Sequence, residues 1–322
     1  MSERLQTAEA AIRQGSKSFA AASRLFDRQT RLLVWELYAW CRHCDDVVDG
    51  QDLGRGTMAP VASASALDQL RVQTDEALQG RTAGPPPFAG LARVVRETGL
   101  PAAYVHAHLD GFAMDVERRA YTSLDDTIEY CYHVAGVVGL MMAWLMGVRD
   151  DATLLRGCDL GMAFQLTNIA RDVGDDAAAG RVYLPAAWLH EAGGTAEAAR
   201  LMDRGNRAAV VEVTRRLLGE ADRYYASAAA GIPRLPFRCA WAIATARHVY
   251  ADIGREVLRR GDAAWDQRVS TSAARKAGRL SQALAEAAWV RGVARFQTPP
   301  PRPDLWQPPL PHRRHASLSA PS

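Results

Sequence analysis

The chain has 322 residues, 48% hydrophobic and 23% charged, with a formal net charge of +3. That composition excludes disordered and fibrous classes and leaves ample length for a buried core. The mild charge, with no basic block or stripe, speaks against a nucleic-acid partner. The first residues lack the basic-then-apolar pattern of a secretion signal, so a cytoplasmic chain is expected. Five cysteines, at 41, 44, 131, 158 and 239, sit mostly in apolar helical surroundings and predict reduced thiols. Cys41 and Cys44 form a C-x-x-C with no second pair to complete a zinc site, and core packing is the expected role.

Strand signals are nearly absent. Segments rich in Ala, Leu, Arg and Glu alternate with Gly/Pro punctuation, which predicts an all-α protein. Helices are predicted near 5–14, 18–25, 28–49, 64–79, 88–98, 101–115, 124–147, 151–176, 185–192, 206–229, 236–260 and 271–295. No interdomain linker divides them, so one helical domain over 1–296 is expected. Its helices would surround a central cavity.

The 28–49 helix carries the first acidic cluster, Asp45-Asp46-Val47-Val48-Asp49. Asp45 and Asp49 fall on one face at i, i+4, with Cβ atoms about 5–6 Å apart. Two bare carboxylates at that spacing repel by about 3 kcal/mol at an effective dielectric near 20. Leu32, Leu33, Val34, Trp35, Leu37, Trp40, Val47 and Val48 cover most other directions, which weakens the alternative of a solvated acidic face. Arg42 stands one turn before the cluster, and Tyr38 a turn before that. Residues 50–62 follow directly, as a lid or, more simply, a connector. Gly80 to Pro87 is a Pro-rich connection.

Within 124–147 lies the longest uncharged run, Val134 to Val148. It is shorter than the ~20 residues a membrane span needs, and Gly136, Gly139 and Gly147 interrupt it. A central helix apolar on all sides is the expected reading.

The 151–176 helix carries the second cluster. Asn168, Asp172 and Asp176 are spaced i, i+4, i+8 and extend about 12 Å along one side. Gln165 continues the stripe backwards. All are oxygen donors, which favours Mg²⁺ or Mn²⁺ over zinc or copper. Mg²⁺ takes few protein carboxylates and fills its remaining positions with water and phosphate. Two acidic helices facing across a cavity therefore predict a metal site that holds a diphosphate. Beyond 297 the chain turns Pro-rich (Pro299, Pro300, Pro301, Pro303, Pro308, Pro309, Pro311), which predicts a disordered or loosely draped tail.

Three stretches resemble the squalene/phytoene synthase family. They are Tyr38 to Asp49, Tyr130 to Gly139 with Val134 and Gly136, and Gln165 to Asp176 followed by Gly180-Arg181-Val182-Tyr183-Leu184-Pro185. The likeness runs from Gly15 to about residue 290. It implies the all-α isoprenoid (terpene) synthase fold and a prenyltransferase reaction. Two geranylgeranyl diphosphates would join at their C1 carbons, through a cyclopropylcarbinyl diphosphate, with release of two diphosphates. A farnesyl-using dehydrosqualene or squalene synthase is the alternative, and no NADPH is expected for the first reading.

The resemblance makes Asp45, Asp49, Asn168, Asp172 and Asp176 metal ligands. Arg42 and Arg171 would hold phosphate, with a surface ion pair to Asp175 as the lesser alternative for Arg171. Ser16, Ser18 and Phe19 match a substrate flap, although Phe19 alone reads equally well as core. Tyr38, Tyr130, Tyr183 and Tyr250 would line the cavity, although each alone reads equally well as core. Arg268 and the Arg275-Lys276 pair resemble a phosphate-contacting region or, more simply, an exposed helix start. The Val134–Val148 helix with Phe164 and Leu166 would form the wall, beside small residues Ala135, Gly136 and Gly139, and Val134 and Gln165 would contact substrate. Those small residues leave room either for prenyl tails or for close helix packing. No histidine is assigned as a base, because a released diphosphate can accept the proton. A hydrocarbon product implies peripheral membrane contact and handover to a neighbouring carotenoid-pathway enzyme. A helical scaffold with acidic surface stripes is the non-enzyme alternative.

Overall fold

The computed structural model describes residues 12, 17–49, 64–81, 84–292, 300–302 and 304–310. Among them every regular element is helical: α1 (Lys17–Ser23), α2 (Arg28–Asp49), α3 (Ala64–Leu78), α4 (Pro86–Thr98), α5 (Ala102–Val116), α6 (Leu124–Cys131), α7 (Val137–Leu145), α8 (Asp151–Ala178), α9 (Ala186–Glu191), α10 (Arg207–Ala229), α11 (Phe237–Arg260) and α12 (Ala273–Gly292). The all-α expectation holds. The 50–62 loop and most of the expected 5–14 helix lie outside the described residues.

Local chemistry sets the helix starts. Ser123 and Asp126 form a capping box at α6, the Asp126 carboxylate accepting from the Ser123 N–H at 2.8 Å. Asp150 caps α8 by accepting from the Thr153 N–H at 2.9 Å. Pro86 stands in the first turn of α4, and Gly99 ends that helix at φ +63°, a left-handed position that suits glycine.

The predicted 124–147 helix is broken by one feature. Residues Tyr132–Gly136 form a π-helical turn between α6 and α7. Such a turn inserts a residue and rotates every side chain that follows, and it is frequent at functional sites. Leu124–Leu145 is long and apolar enough to cross a membrane, but 61% of it is buried inside the protein. Val137, Leu140 and Met141 have no exposure at all. It is a core helix here.

The centre of the fold is α8, which packs against α10, α7, α11 and the π-turn. Leu154, Cys158, Met162, Ala163, Leu166 and Ala170 bury one flank completely or nearly so. Its approach to α7 is closer than side chains allow. A Cβ on Gly161 would lie 2.1 Å from the Ala135 carbonyl oxygen, and one on Gly139 would lie 2.1 Å from the Gly157 carbonyl oxygen. Glycine at these positions is required for backbone contact, and Ala135 and Gly139 of the same segment also border the cavity.

The Pro-rich segment departs from expectation. Residues 300–302 and 304–310 are packed rather than loose. Arg302 forms an ion pair with Asp159, whose side chain has no exposure, and Leu305 is 8% exposed. A carboxylate buried in α8 needs a cation, and this segment supplies it.

All five cysteines are free thiols, and burial pushes each one up. The C-x-x-C pair packs as expected.

Candidate active site

One face of α8 lines a cavity of about 540 Å³ along most of the helix. At one end stand Gln165, Asn168 and Arg171; at the other, Thr153 and Arg156. The walls between are apolar: Val134, Val138, Met142, Leu160 and Phe164 contribute. A smaller polar chamber of about 150 Å³ continues from the acidic end. Asp45 of α2 borders it together with Asn168, Asp172 and Asp176 of α8. The two acidic clusters, about 120 residues apart in sequence, therefore meet across one space.

The α2 side is organised by Arg42. Its guanidinium pairs with Asp45 at 2.7 Å and Asp46 at 2.6 Å. Burial works against its charge, but both carboxylates overcome that and hold Arg42 above its ordinary value. Asp46 is buried, whereas the Asp45 side chain is 41% exposed to the cavity side. Asp45 is thus the carboxylate presented to the chamber. Asp49 ends α2, and its side chain lies outside the described residues.

On α8, Arg171 donates from Nε to Asp172 Oδ1 at 2.7 Å and from Nη2 to Oδ2. Arg268 reaches the same carboxylate at 3.3 Å from the far side of the cavity mouth. Arg171 pairs with Asp172, so the alternative pairing with exposed Asp175 is not the one formed. Asp176 is pushed up to about 8, first by burial and next by the Asp172 charge, with Arg181 opposing. Arg275 turns away towards Glu256 at 3.8 Å, so of the predicted C-terminal basic group Arg268 faces the site.

Aromatic groups form the junction between chamber and apolar cavity. Tyr130 and Tyr183 stack at 4.6 Å, 19° from parallel. Both hydroxyls donate to Asp115 of α5, at 3.1 Å and 2.7 Å. Burial and then the Asp115 charge push both phenols up, so they stay neutral donors. Tyr250 stacks on Phe164 at 4.2 Å, and Tyr38 borders the cavity on the α2 side with its phenol raised by burial. Aromatic faces along such a wall can stabilise a cation in a water-poor space.

Of the expected residues, Tyr38, Arg42, Asp45, Tyr130, Val134, Gln165, Asn168, Arg171, Asp172, Asp176, Tyr183, Tyr250 and Arg268 border these two spaces. Leu166 does not; it has no exposure and faces the core, while Phe164 does line the wall. Ser16 lies outside the described residues. Ser18 and Phe19 are on α1, with side chains that are not described. Sequence reasoning missed Asp115 and Arg181. Asp115 lies five residues from Asp110 in an apolar helix, off the three- or four-residue spacing that marks a cluster, so nothing local singles it out. Arg181 sits inside a quoted motif without a role, and its place beside Asp176 comes from the chain turn at Gly180.

The donor set suits a hard divalent cation. Asp45, Asp172, Asp176 and Asn168 offer only oxygen. Asn168 Oδ1 is buried without a hydrogen-bond partner, an acceptor that needs a donor or a cation. The crowding that raises Asp176 is the crowding a divalent ion relieves. Among the described residues no three of His, Cys, Asp or Glu converge tightly enough to cage an ion alone.

An all-α cavity with acidic ligands and arginines at one end and an apolar, aromatic wall behind them defines a prenyl-diphosphate-handling protein. The squalene/phytoene synthase profile matches residues 12–275, and the chain belongs to that family. A 15-cis-phytoene synthase of Pantoea ananas is 52% identical over 299 residues, covering 92% of this chain and 95% of that protein. One from Enterobacter agglomerans is 54% identical over 298 residues, covering 92% and 99%. Among solved structures, a dehydrosqualene synthase in complex with ligand superimposes with a TM-score of 0.78 at 27% identity, covering 89% of this chain and 97% of that one.

Proposed function

We propose that this chain is a prenyltransferase of the phytoene synthase type, joining two geranylgeranyl diphosphates head to head. The observation that carries it is the polar chamber bordered by both acidic clusters, adjoining a cavity with a largely apolar wall. The identities above 50% with two 15-cis-phytoene synthases, over nearly full lengths, support the C20 substrate over a farnesyl one.

Asp45, Asp49, Asn168, Asp172 and Asp176 would hold Mg²⁺ or Mn²⁺, whose charge supplies stabilisation of a departing diphosphate. Arg42, Arg171 and Arg268 border the cavity, and their charges would act on the same developing anion. The C1–O bond of the first substrate breaks, and the allylic cation is attacked by the C2=C3 bond of the second. Loss of a C1 proton closes the cyclopropane. The second diphosphate then leaves, the carbon skeleton rearranges, and a second proton is lost to give the central double bond. Atoms and electrons balance with no reductant. Phe164, Tyr250 and the Val134–Met142 wall keep water from the cations.

Peripheral lipid contact belongs to the same reading, because a C40 hydrocarbon partitions into a bilayer on its way to a following carotenoid-pathway enzyme. Trp289 is 70% exposed on α12, with Leu280 and Leu284 on the same helix also exposed. The test is incubation with geranylgeranyl or farnesyl diphosphate, Mg²⁺ and either NADPH or none, followed by product identification. Phytoene from the C20 substrate without NADPH is the expected result. Turnover of farnesyl diphosphate alone would replace the proposal with the C30 reading.

A further inference from the structure

The apolar end of the cavity is bordered by an arginine, Arg156, one of whose two acceptors, Pro300, lies outside the family match. Arg156, on the first turns of α8, is 6% exposed and lines the cavity. It lies sixteen residues before Asp172 along the helix, about 24 Å from the acidic end. A cation at the bottom of an apolar cavity is costly unless it is held by acceptors. Arg156 Nη1 donates to Ser227 Oγ at 2.5 Å, and Nη2 donates to the Pro300 carbonyl; Nε is buried and unpartnered. Ser227 in turn donates to Asp159, and Arg302 closes the ring with a bidentate pair to Asp159 at 2.8 and 2.5 Å.

Two of these partners, Pro300 and Arg302, belong to the Pro-rich segment. The same segment also contacts the π-turn and α10. Trp306 packs against Tyr132 of the π-turn at 5.0 Å, and the Tyr132 hydroxyl donates to the Pro309 carbonyl at 3.4 Å. Arg223 of α10 donates to the Asp304 carbonyl at 3.0 Å. Residues 300–302 and 304–310 thus touch α8, α10 and the π-turn from outside, beside the Arg156 end of the cavity.

We propose that this segment is a strap that sets the depth of the prenyl cavity, with Arg302 as a specificity-determining positioning residue acting through Asp159, Ser227 and Arg156. The proposal rests on the prenyl-diphosphate reading of the cavity. Arg302 does not touch substrate. It holds Asp159, which orients Ser227, which keeps the Arg156 guanidinium out of the cavity. Without Arg302 the strap loosens at Pro300, so the Pro300 carbonyl no longer fixes Nη2, and Ser227, no longer oriented by an Asp159 that Arg302 holds, no longer fixes Nη1. The space the released guanidinium can enter is the cavity it already borders. A shorter cavity penalises a C20 chain more than a C15 chain.

The experiment measures Kd for the unreactive thiolo analogues of farnesyl and geranylgeranyl diphosphate with Mg²⁺. The variants are Arg302→Ala, Arg302→Lys, Arg156→Met and the Arg302→Ala/Arg156→Met pair. Arg302→Ala is expected to weaken the C20 analogue at least tenfold more than the C15 analogue. Arg302→Lys, which keeps the charge and should fold where alanine does not, is expected to show a smaller shift in the same direction. Adding Arg156→Met is expected to cancel the shift, because no guanidinium remains to enter the cavity. An unchanged C20/C15 ratio in Arg302→Ala or Arg302→Lys, with only the melting temperature lowered, would overturn the strap and leave the function reading intact. Failure of the wild-type protein to bind either analogue would overturn both.

Discussion

Replacing Gly161 with alanine should destabilise this protein although alanine is the better helix former. The new Cβ would sit 2.1 Å from the Ala135 carbonyl oxygen, 2.7 Å from its carbon and 2.9 Å from the Gly136 Cα. All three are backbone atoms, so no rotamer relieves the overlap. The π-turn must move away from α8 by about 1 Å, against close packing that resists expansion. Forced overpacking of this kind costs about 3 kcal/mol, and helix propensity returns about 1. The net loss is about 2 kcal/mol. Gly219, exposed in α10 with nothing within 4 Å of its would-be Cβ, is the matched control. There the same substitution should stabilise by up to about 1 kcal/mol. Urea denaturation of both variants reads the two signs directly. Equal or greater stability of Gly161→Ala than of Gly219→Ala would refute the backbone-contact reasoning. Because Ala135 and Gly161 both line the cavity, catalytic efficiency should fall with Gly161→Ala and stay unchanged with Gly219→Ala.

Three further outcomes follow from the site and its surroundings. Asp45→Asn or Asp172→Asn should lower diphosphate release at least about a hundredfold while circular dichroism keeps the helix content; full activity in either would exclude a catalytic role. His108 is fully enclosed between Trp40 and Phe112, and burial pulls it from 6.5 down to about 4. The unfolded chain takes up that proton first, so stability present above pH 6.5 is lost as pH falls towards 4, by about 3 kcal/mol in all. Denaturation at pH 7 and pH 4.5 should show this loss, and His108→Gln should flatten it. Asp176 holds its proton up to about pH 8 without metal. Calorimetry in buffers of differing ionisation enthalpy should therefore find about one proton released on Mg²⁺ binding at pH 7 and fewer at pH 9. Equal release at both would show that Asp176 is already ionised.

The fold class and the acidic half of the site were legible because both rest on short-range spacing. Asp45 with Arg42, and Asn168 with Asp172 and Asp176, lie three or four residues apart on helices, where neighbours in sequence are neighbours in space. The long apolar segments and their Gly/Pro breaks marked the helices for the same reason. The π-turn left no such mark, since its extra residue is set by how Tyr132 and Ala135 meet their surroundings rather than by local propensity.

By itself, then, the sequence determined an all-helical chain with two acidic stripes and an apolar central segment. Tertiary structure decided what those parts face. Asp115 becomes the acceptor for Tyr183 across 68 positions, and Arg302 the partner of Asp159 across 143. Neither pairing has a local signal, because each depends on which helices pack together. The tail carries the plainest case. Proline rules out helix but says nothing about docking, and it was the uncompensated charge of buried Asp159 that required a cation from a segment so distant.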